Sequence, residues 1–188
     1  IKRFNETMKM FKDHKKRVAM VRKELGFKTA FNLVGPISNP ANAKRQLVGV
    51  YGKSAAEKVA GVLKLLGVKK ALVVSSDMDE ISVSAKTLVF DVSKSGIKKY
   101  FVSPTDFGLK FHRLKEIRAV NAKDSARKIL GVLNGENGAC REIVLLNAAA
   151  AIFASGVSDS FSSAISLAQE SIDSGAALQK LHALRADF

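Results

Sequence analysis

Apolar and polar positions change period along this chain, from helical spacing to short continuous apolar runs and back again. Residues 1 to about 25 place Met8, Phe11, Val18 and Val21 roughly a turn apart among basic side chains, which predicts a helix stopped by Gly26. A short apolar piece then enters Gly35-Pro36 and Asn39-Pro40, two turns, because the residue before proline is pushed to extended geometry. Residues 46–51 predict a strand. Ser54 with Glu57 has the spacing of a capping box, and Val59, Val62, Leu63 and Leu66 give the following helix one apolar stripe before Gly67. Residues 71–74 are continuously apolar, a buried strand, so 47–74 forms a strand–helix–strand unit that crosses over right-handed if its strands are parallel.

Residues 87–92 and 97–102 predict a hairpin around Ser93-Lys94-Ser95-Gly96. Residues 103–108 break the pattern as a loop, and 109–120 show no period. Asn121 and Asp124 resemble a helix cap, with Ala126, Ile129, Leu130 and Leu133 on the apolar face. Residues 142–154 are apolar nearly all round, the mark of a buried helix, and the small side chains of Asn147 to Ala151 let neighbouring backbone come close. Two amphipathic helices, 160–174 and 175–185, close the chain. Alternation of strand and helix periods makes the fold class α/β.

Between the strand at 71–74 and the hairpin lies Ser75-Ser76-Asp77-Met78-Asp79-Glu80-Ile81-Ser82. Loops at the carboxyl ends of strands are where α/β sheets bind ligands. Adjacent Asp79 and Glu80 offer hard oxygen donors, suited to Mg2+ held jointly with a substrate phosphate. An acidic turn that caps the next element is the alternative the residues leave open, and Asp77 is a reserve ligand.

Charge narrows the partners. The 188 residues carry 31 Lys and Arg against 17 Asp and Glu, a net charge of +14, with clusters in residues 9–28 and 97–118. Such an excess suits an anionic partner. Aromatic residues do not interleave with these runs, so a solvated basic surface is expected rather than a base-stacking platform, and nucleic acid is not an expected partner. Cys140 is the single cysteine, which rules out an intrachain disulfide and fits a reducing compartment and an inert small side chain. The longest apolar run, 143–155, is too short to span a bilayer, and no secretory pattern opens the chain; a cytoplasmic location is expected. His14, His112 and His182 stand in no nucleophile or metal spacing, and surface positions suffice for them.

Seven blocks add up in order: Val21-Arg22-Lys23-Glu24-Leu25-Gly26; Phe31-Asn32-Leu33-Val34-Gly35-Pro36-Ile37-Ser38-Asn39-Pro40-Ala41; Gln46-Leu47-Val48-Gly49-Val50-Tyr51; Asp79-Glu80-Ile81-Ser82; Pro104-Thr105-Asp106-Phe107-Gly108-Leu109; Leu145-Leu146-Asn147-Ala148-Ala149-Ala150-Ala151; and Ile172-Asp173-Ser174-Gly175-Ala176-Ala177. Together they resemble anthranilate phosphoribosyltransferase. The resemblance implies an enzyme of tryptophan biosynthesis that moves the phosphoribosyl group of phosphoribosyl diphosphate (PRPP) onto the amine of anthranilate, releasing diphosphate, with Mg2+ as cofactor. It implies a homodimer and a central mixed, mostly parallel sheet flanked by helices, the α/β domain of phosphoribosyltransferases and nucleoside phosphorylases. Asp79 and Glu80 match the family's metal pair, and Arg22 matches its anthranilate-contacting arginine. A planar guanidinium takes a carboxylate bidentately; composition alone favours Arg22 as one more exposed charge on a basic helix, and the surrounding motif reverses that reading.

The chain also departs from the family pattern. Its Gly-Thr-Gly-Gly-Asp loop, Asn-x-Ser-Thr stretch and Lys-His-Gly-Asn segment do not occur in these residues. Backbone amides of such a loop are what cradle a diphosphate. The first residue is Ile1 rather than Met. The expectation is therefore a C-terminal portion, inactive alone, with the N-terminal helical domain largely absent: 1–25 a basic helical segment at a junction, 26–188 the α/β phosphoribosyltransferase domain. A pyrimidine nucleoside phosphorylase-like enzyme and a nucleic-acid-binding relative of the same fold are the alternatives.

Overall fold

A computed structural model describes residues 42–186 together with Ile37. The basic helix expected over 1–25, Arg22 within it, the two proline turns and the boundary at residue 25 lie outside the described residues. Lys44–Phe188 forms a compact unit of its own.

Four strands make one sheet in the order β1-β2-β3-β4: β1 (Arg45–Gly49), β2 (Lys70–Ser75), β3 (Thr87–Ser93) and β4 (Gly96–Val102). β1 and β2 run parallel, joined through helix α1 (Lys53–Leu65), while β3 and β4 add antiparallel. The sheet is mixed and flanked by helices, as expected. Among the described residues, however, antiparallel pairings outnumber the parallel one, because the hairpin extends the sheet from β2 without a crossover. Its two-residue turn, Lys94-Ser95, is held by Lys64 Nζ, which donates to the Ser93 and Lys94 carbonyls at 2.9 and 2.6 Å.

β2 is buried along nearly its whole length, which is why its sequence is continuously apolar rather than alternating. Leu72 and Val74 face a core built with Ile143, Leu146, Ala149 and Ala150 of the long helix α4 (Ala139–Ser155). By strand alternation Ala71 and Val73 face the opposite side, where α1 packs on β2 and β3. The remaining helices are α2 (Leu114–Ile117), α3 (Ala122–Leu133), α5 (Phe161–Asp173) and α6 (Ala176–Ala186), with a 3-10 turn at Pro104–Phe107. Removing the Leu146 side chain from its fully buried site should cost ~2–5 kcal/mol.

Several local expectations need correction. α1 begins at Lys53, one residue before Ser54, and Gly52 occupies the cap without any side-chain hydrogen bond. Gly52 has φ 93°, and its N–H donates to Ser75 Oγ at 3.0 Å, so tertiary contact with the end of β2 replaces the capping box. The core face of α1 is Ala56, Val59, Ala60 and Leu63, whereas Leu66 is 53% exposed. Small alanines let the helix lie close to the sheet and rotate the stripe. The Asn121 cap holds, its Oδ1 accepting from Asp124 N–H at 2.9 Å. Yet Ile129 and Leu130 of α3 are 53% and 39% exposed, and Gly131 and Val132 are the buried residues. The 109–120 segment contains one helical turn, α2, too short to leave a period in sequence.

Candidate functional site at the carboxyl end of the parallel strands

The loop leaving β2 is fixed at nearly every residue. Ser76 Oγ lies 3.1 and 2.8 Å from the Met78 and Glu80 carbonyls and also accepts from Met78 N–H at 3.1 Å. The Asp77 carboxylate accepts from Ser84 Oγ. Burial opposes ionisation of Asp77, but hydrogen bonds from Ser84, Ser82 and its neighbours outweigh that, and its pKa lies below the ordinary value. Asp77 thus ties the loop together, and its reserve role as a metal ligand gains no support.

Further along, Ser82 Oγ accepts from Ser84 N–H at 2.9 Å and Ala85 N–H at 3.2 Å, while Ser82 N–H donates to Thr87 Oγ1 at 3.0 Å. Ile81 is held from another element altogether. Its N–H donates to Asn147 Oδ1 and its carbonyl accepts from Asn147 Nδ2, both at 2.9 Å.

From this frame Asp79 and Glu80 project as exposed carboxylates. Desolvation first, and the adjacent Asp79 charge second, raise the pKa of Glu80 above its ordinary value. Glu80 also lines an open pocket of about 370 Å³ with Ile117, Ile143, Val144, Asn147 and Ala148. The chemistry of this donor set fits a hard divalent cation: two neighbouring carboxylates whose mutual repulsion a cation would relieve. Among the described residues no three His, Cys, Asp or Glu cluster as a closed metal cage. A cation here would complete its shell from water and a bound phosphate, as Mg2+ commonly does.

The loop's placement also depends on a glycine. A Cβ on Gly49, the last residue of β1, would lie 1.5 Å from the Asp79 carbonyl oxygen and 2.7 Å from its carbon. Only glycine permits the loop backbone to cross the end of β1 so closely.

Three further participants are Asn147, Gly49 and His112, unevenly marked in the sequence. Asn147 signalled itself as the lone amide in an apolar helix, and Gly49 gave no signal. His112 is no surface residue: its side chain is 16% exposed, between Glu116 Oε2 at 3.3 Å and Glu142 Oε2 at 3.1 Å. Its backbone N–H donates to the Val83 carbonyl at 2.8 Å, joining the 109–113 segment to the bend between the acid pair and β3. His182 is exposed as expected, and His14 lies outside the described residues.

Comparison with known proteins adds the family. The model of the glycosyl transferase family, a/b domain, matches residues 7–178. The chain belongs to this family. An anthranilate phosphoribosyltransferase of Methylobacillus flagellatus is 46% identical over 173 residues, covering 91% of this chain and 51% of the relative. The crystal structure of anthranilate phosphoribosyltransferase from Thermus thermophilus superposes with a TM-score of 0.82 at 34% identity, covering 89% of this chain and 50% of that one. The Saccharomyces cerevisiae enzyme in complex with PRPP and Mg superposes at 0.80 with 30% identity, covering 89% and 49%. The chain spans about half the length of the curated relatives it matches. Among the described residues no helix of this glycosyl transferase domain is long and apolar enough to cross a membrane.

Proposed function

We propose that the protein is an anthranilate phosphoribosyltransferase, to which this chain contributes the carboxylates that hold Mg2+ on the diphosphate of PRPP. The observation that carries the reading is the pair Asp79 and Glu80, side by side and exposed at the carboxyl end of a parallel strand. The names of the similar proteins support it, and the yeast relative with PRPP and Mg supports the choice of ligand.

In the reaction the bond from the anomeric carbon to diphosphate breaks, a bond to the anthranilate nitrogen forms, and that nitrogen gives up a proton. Mg2+, when bound, neutralises the charge that accumulates on the departing diphosphate without proton bookkeeping. Asp79 and Glu80 supply hard oxygen ligands from a loop already fixed, so little ordering remains to be done on binding. The apolar wall of Ile117, Ile143 and Val144 beside Glu80 lowers local hydration, which strengthens electrostatic contacts there. Arg22 is proposed to take the anthranilate carboxylate as a bidentate partner. With the family, the complete enzyme is proposed to be a cytoplasmic homodimer, its 1–25 segment a basic helix joining the α/β domain.

Diphosphate release tests the reading. The 188 residues alone should be silent. Full-length protein should release diphosphate only with both anthranilate and Mg2+. Glu80→Gln should lower that rate by about 100-fold or more, the scale of one lost charge contact on a leaving group. Wild-type turnover by Glu80→Gln, or robust turnover by the 188 residues alone, would overturn it.

A further inference from the structure

We propose that Asn147 is a positioning residue for the acid pair: from the middle of α4 its carboxamide sets the backbone course from which Asp79 and Glu80 present their oxygens. The inference rests on the metal reading of that pair and deepens it.

Asn147 Oδ1 accepts from Ile81 N–H at 2.9 Å, and Nδ2 donates to the Ile81 carbonyl at 2.9 Å and to the Ile143 carbonyl at 3.0 Å. An amide reading one donor and two acceptors leaves no choice of which end is oxygen. The side chain therefore meets Ile81 as a neighbouring strand would, offering an acceptor and a donor to one residue. Packing alone does not call for this. Leu145 and Leu146 before it, and the alanines after it, are apolar, and a carboxamide in such a run costs free energy unless it is bonded.

No common replacement serves. Aspartate keeps the acceptor and loses both donors; leucine loses everything; glutamine adds a methylene that the closely packed helix must accommodate. Ile81 directly follows Glu80, so rotation of its peptide would swing the Glu80 carboxylate. Glu80 and Asn147 also line the same pocket. Groups that orient ligating side chains from behind typically contribute about 10–100-fold in metal affinity.

Equilibrium binding of Mn2+ to the full-length protein with inorganic diphosphate, read as free Mn2+ by electron paramagnetic resonance, tests this without turnover. Asn147→Ala should bind Mn2+ about 10–100-fold more weakly. Asn147→Asp, nearly isosteric and able to keep the Ile81 N–H bond, should also be weakened and serves should the alanine variant fail to fold. Leu146→Ala controls for stability alone: it should lower Tm at least as far while leaving Mn2+ affinity within about twofold of wild type. Wild-type Mn2+ affinity in both Asn147 variants would overturn the proposal, as would equal weakening in Leu146→Ala. Glu80→Gln separates the two readings: if it binds Mn2+ normally the acid-pair reading falls, whereas its loss beside intact Asn147 variants sinks only the positioning role.

Discussion

Helix α4 grips two neighbouring pieces of chain in different ways. At Asn147 it holds Ile81 through a neutral amide whose hydrogen bonds are 2.9 Å in both directions. At Glu142, little more than a turn earlier, it holds the 110–112 stretch through a carboxylate, which accepts from Lys110 N–H at 3.1 Å and approaches His112 Nε2 at 3.1 Å out of hydrogen-bond alignment. The first contact keeps its strength across pH and salt. The second depends on charge, and counts as an ion pair only with a protonated ring. The acid loop is thus held rigidly by α4 beside a segment whose attachment to α4 is softer.

The largest effect that would break this contrast is at Gly49. Gly49→Ala must displace the Asp79 carbonyl, and should cost about 1–3 kcal/mol in urea unfolding while abolishing Mn2+ binding by the full-length protein. Retained Mn2+ affinity would show the acid loop to be adaptable. A smaller effect is expected on the softer side. His112→Gln should cost under ~1 kcal/mol, and the difference from wild type should shrink at about 1 M NaCl, where screening acts within ~3 Å. A salt-independent loss would place His112 with the neutral contacts instead.

The smallest effect near neutrality concerns Tyr100 on β4. Desolvation first, and the Asp91 charge second, push its phenol up to about 12 from 10.0. A raised folded-state pKa means the unfolded chain ionises first, so this contribution is complete below pH 10.0 and is lost as pH rises toward about 12. Tyr100→Phe should leave stability at pH 7 nearly unchanged and flatten its alkaline decline, as read by denaturation at several pH values. Tyrosinate absorbance appearing with an ordinary midpoint would contradict the burial.

Most of the architecture could be read in sequence because its signals are local. The apolar run at 71–74, the Lys94-Ser95 turn and the Asn121 cap each fold as their own residues dictate. Sequence and structure part where a distant partner decides. Ser54 lost the cap to Gly52, which bonds Ser75 across the sheet edge. Ile129 and Leu130 have helical spacing, yet the neighbouring helices leave them 53% and 39% exposed. At the site, Asp79 and Glu80 stood out as adjacent acids after a strand. Gly49 could not, since its need arises only when the loop folds over it, and the small-residue run that contains Asn147 points to close packing, whereas its amide works at Ile81.

The most direct test is diffraction from crystals of the full-length protein grown with Mn2+ and diphosphate. The account predicts an anomalous peak about 2.1 Å from a carboxylate oxygen of Asp79 or Glu80 and beside a diphosphate oxygen. A peak held by other residues, with both of these carboxylates facing only water, would contradict it.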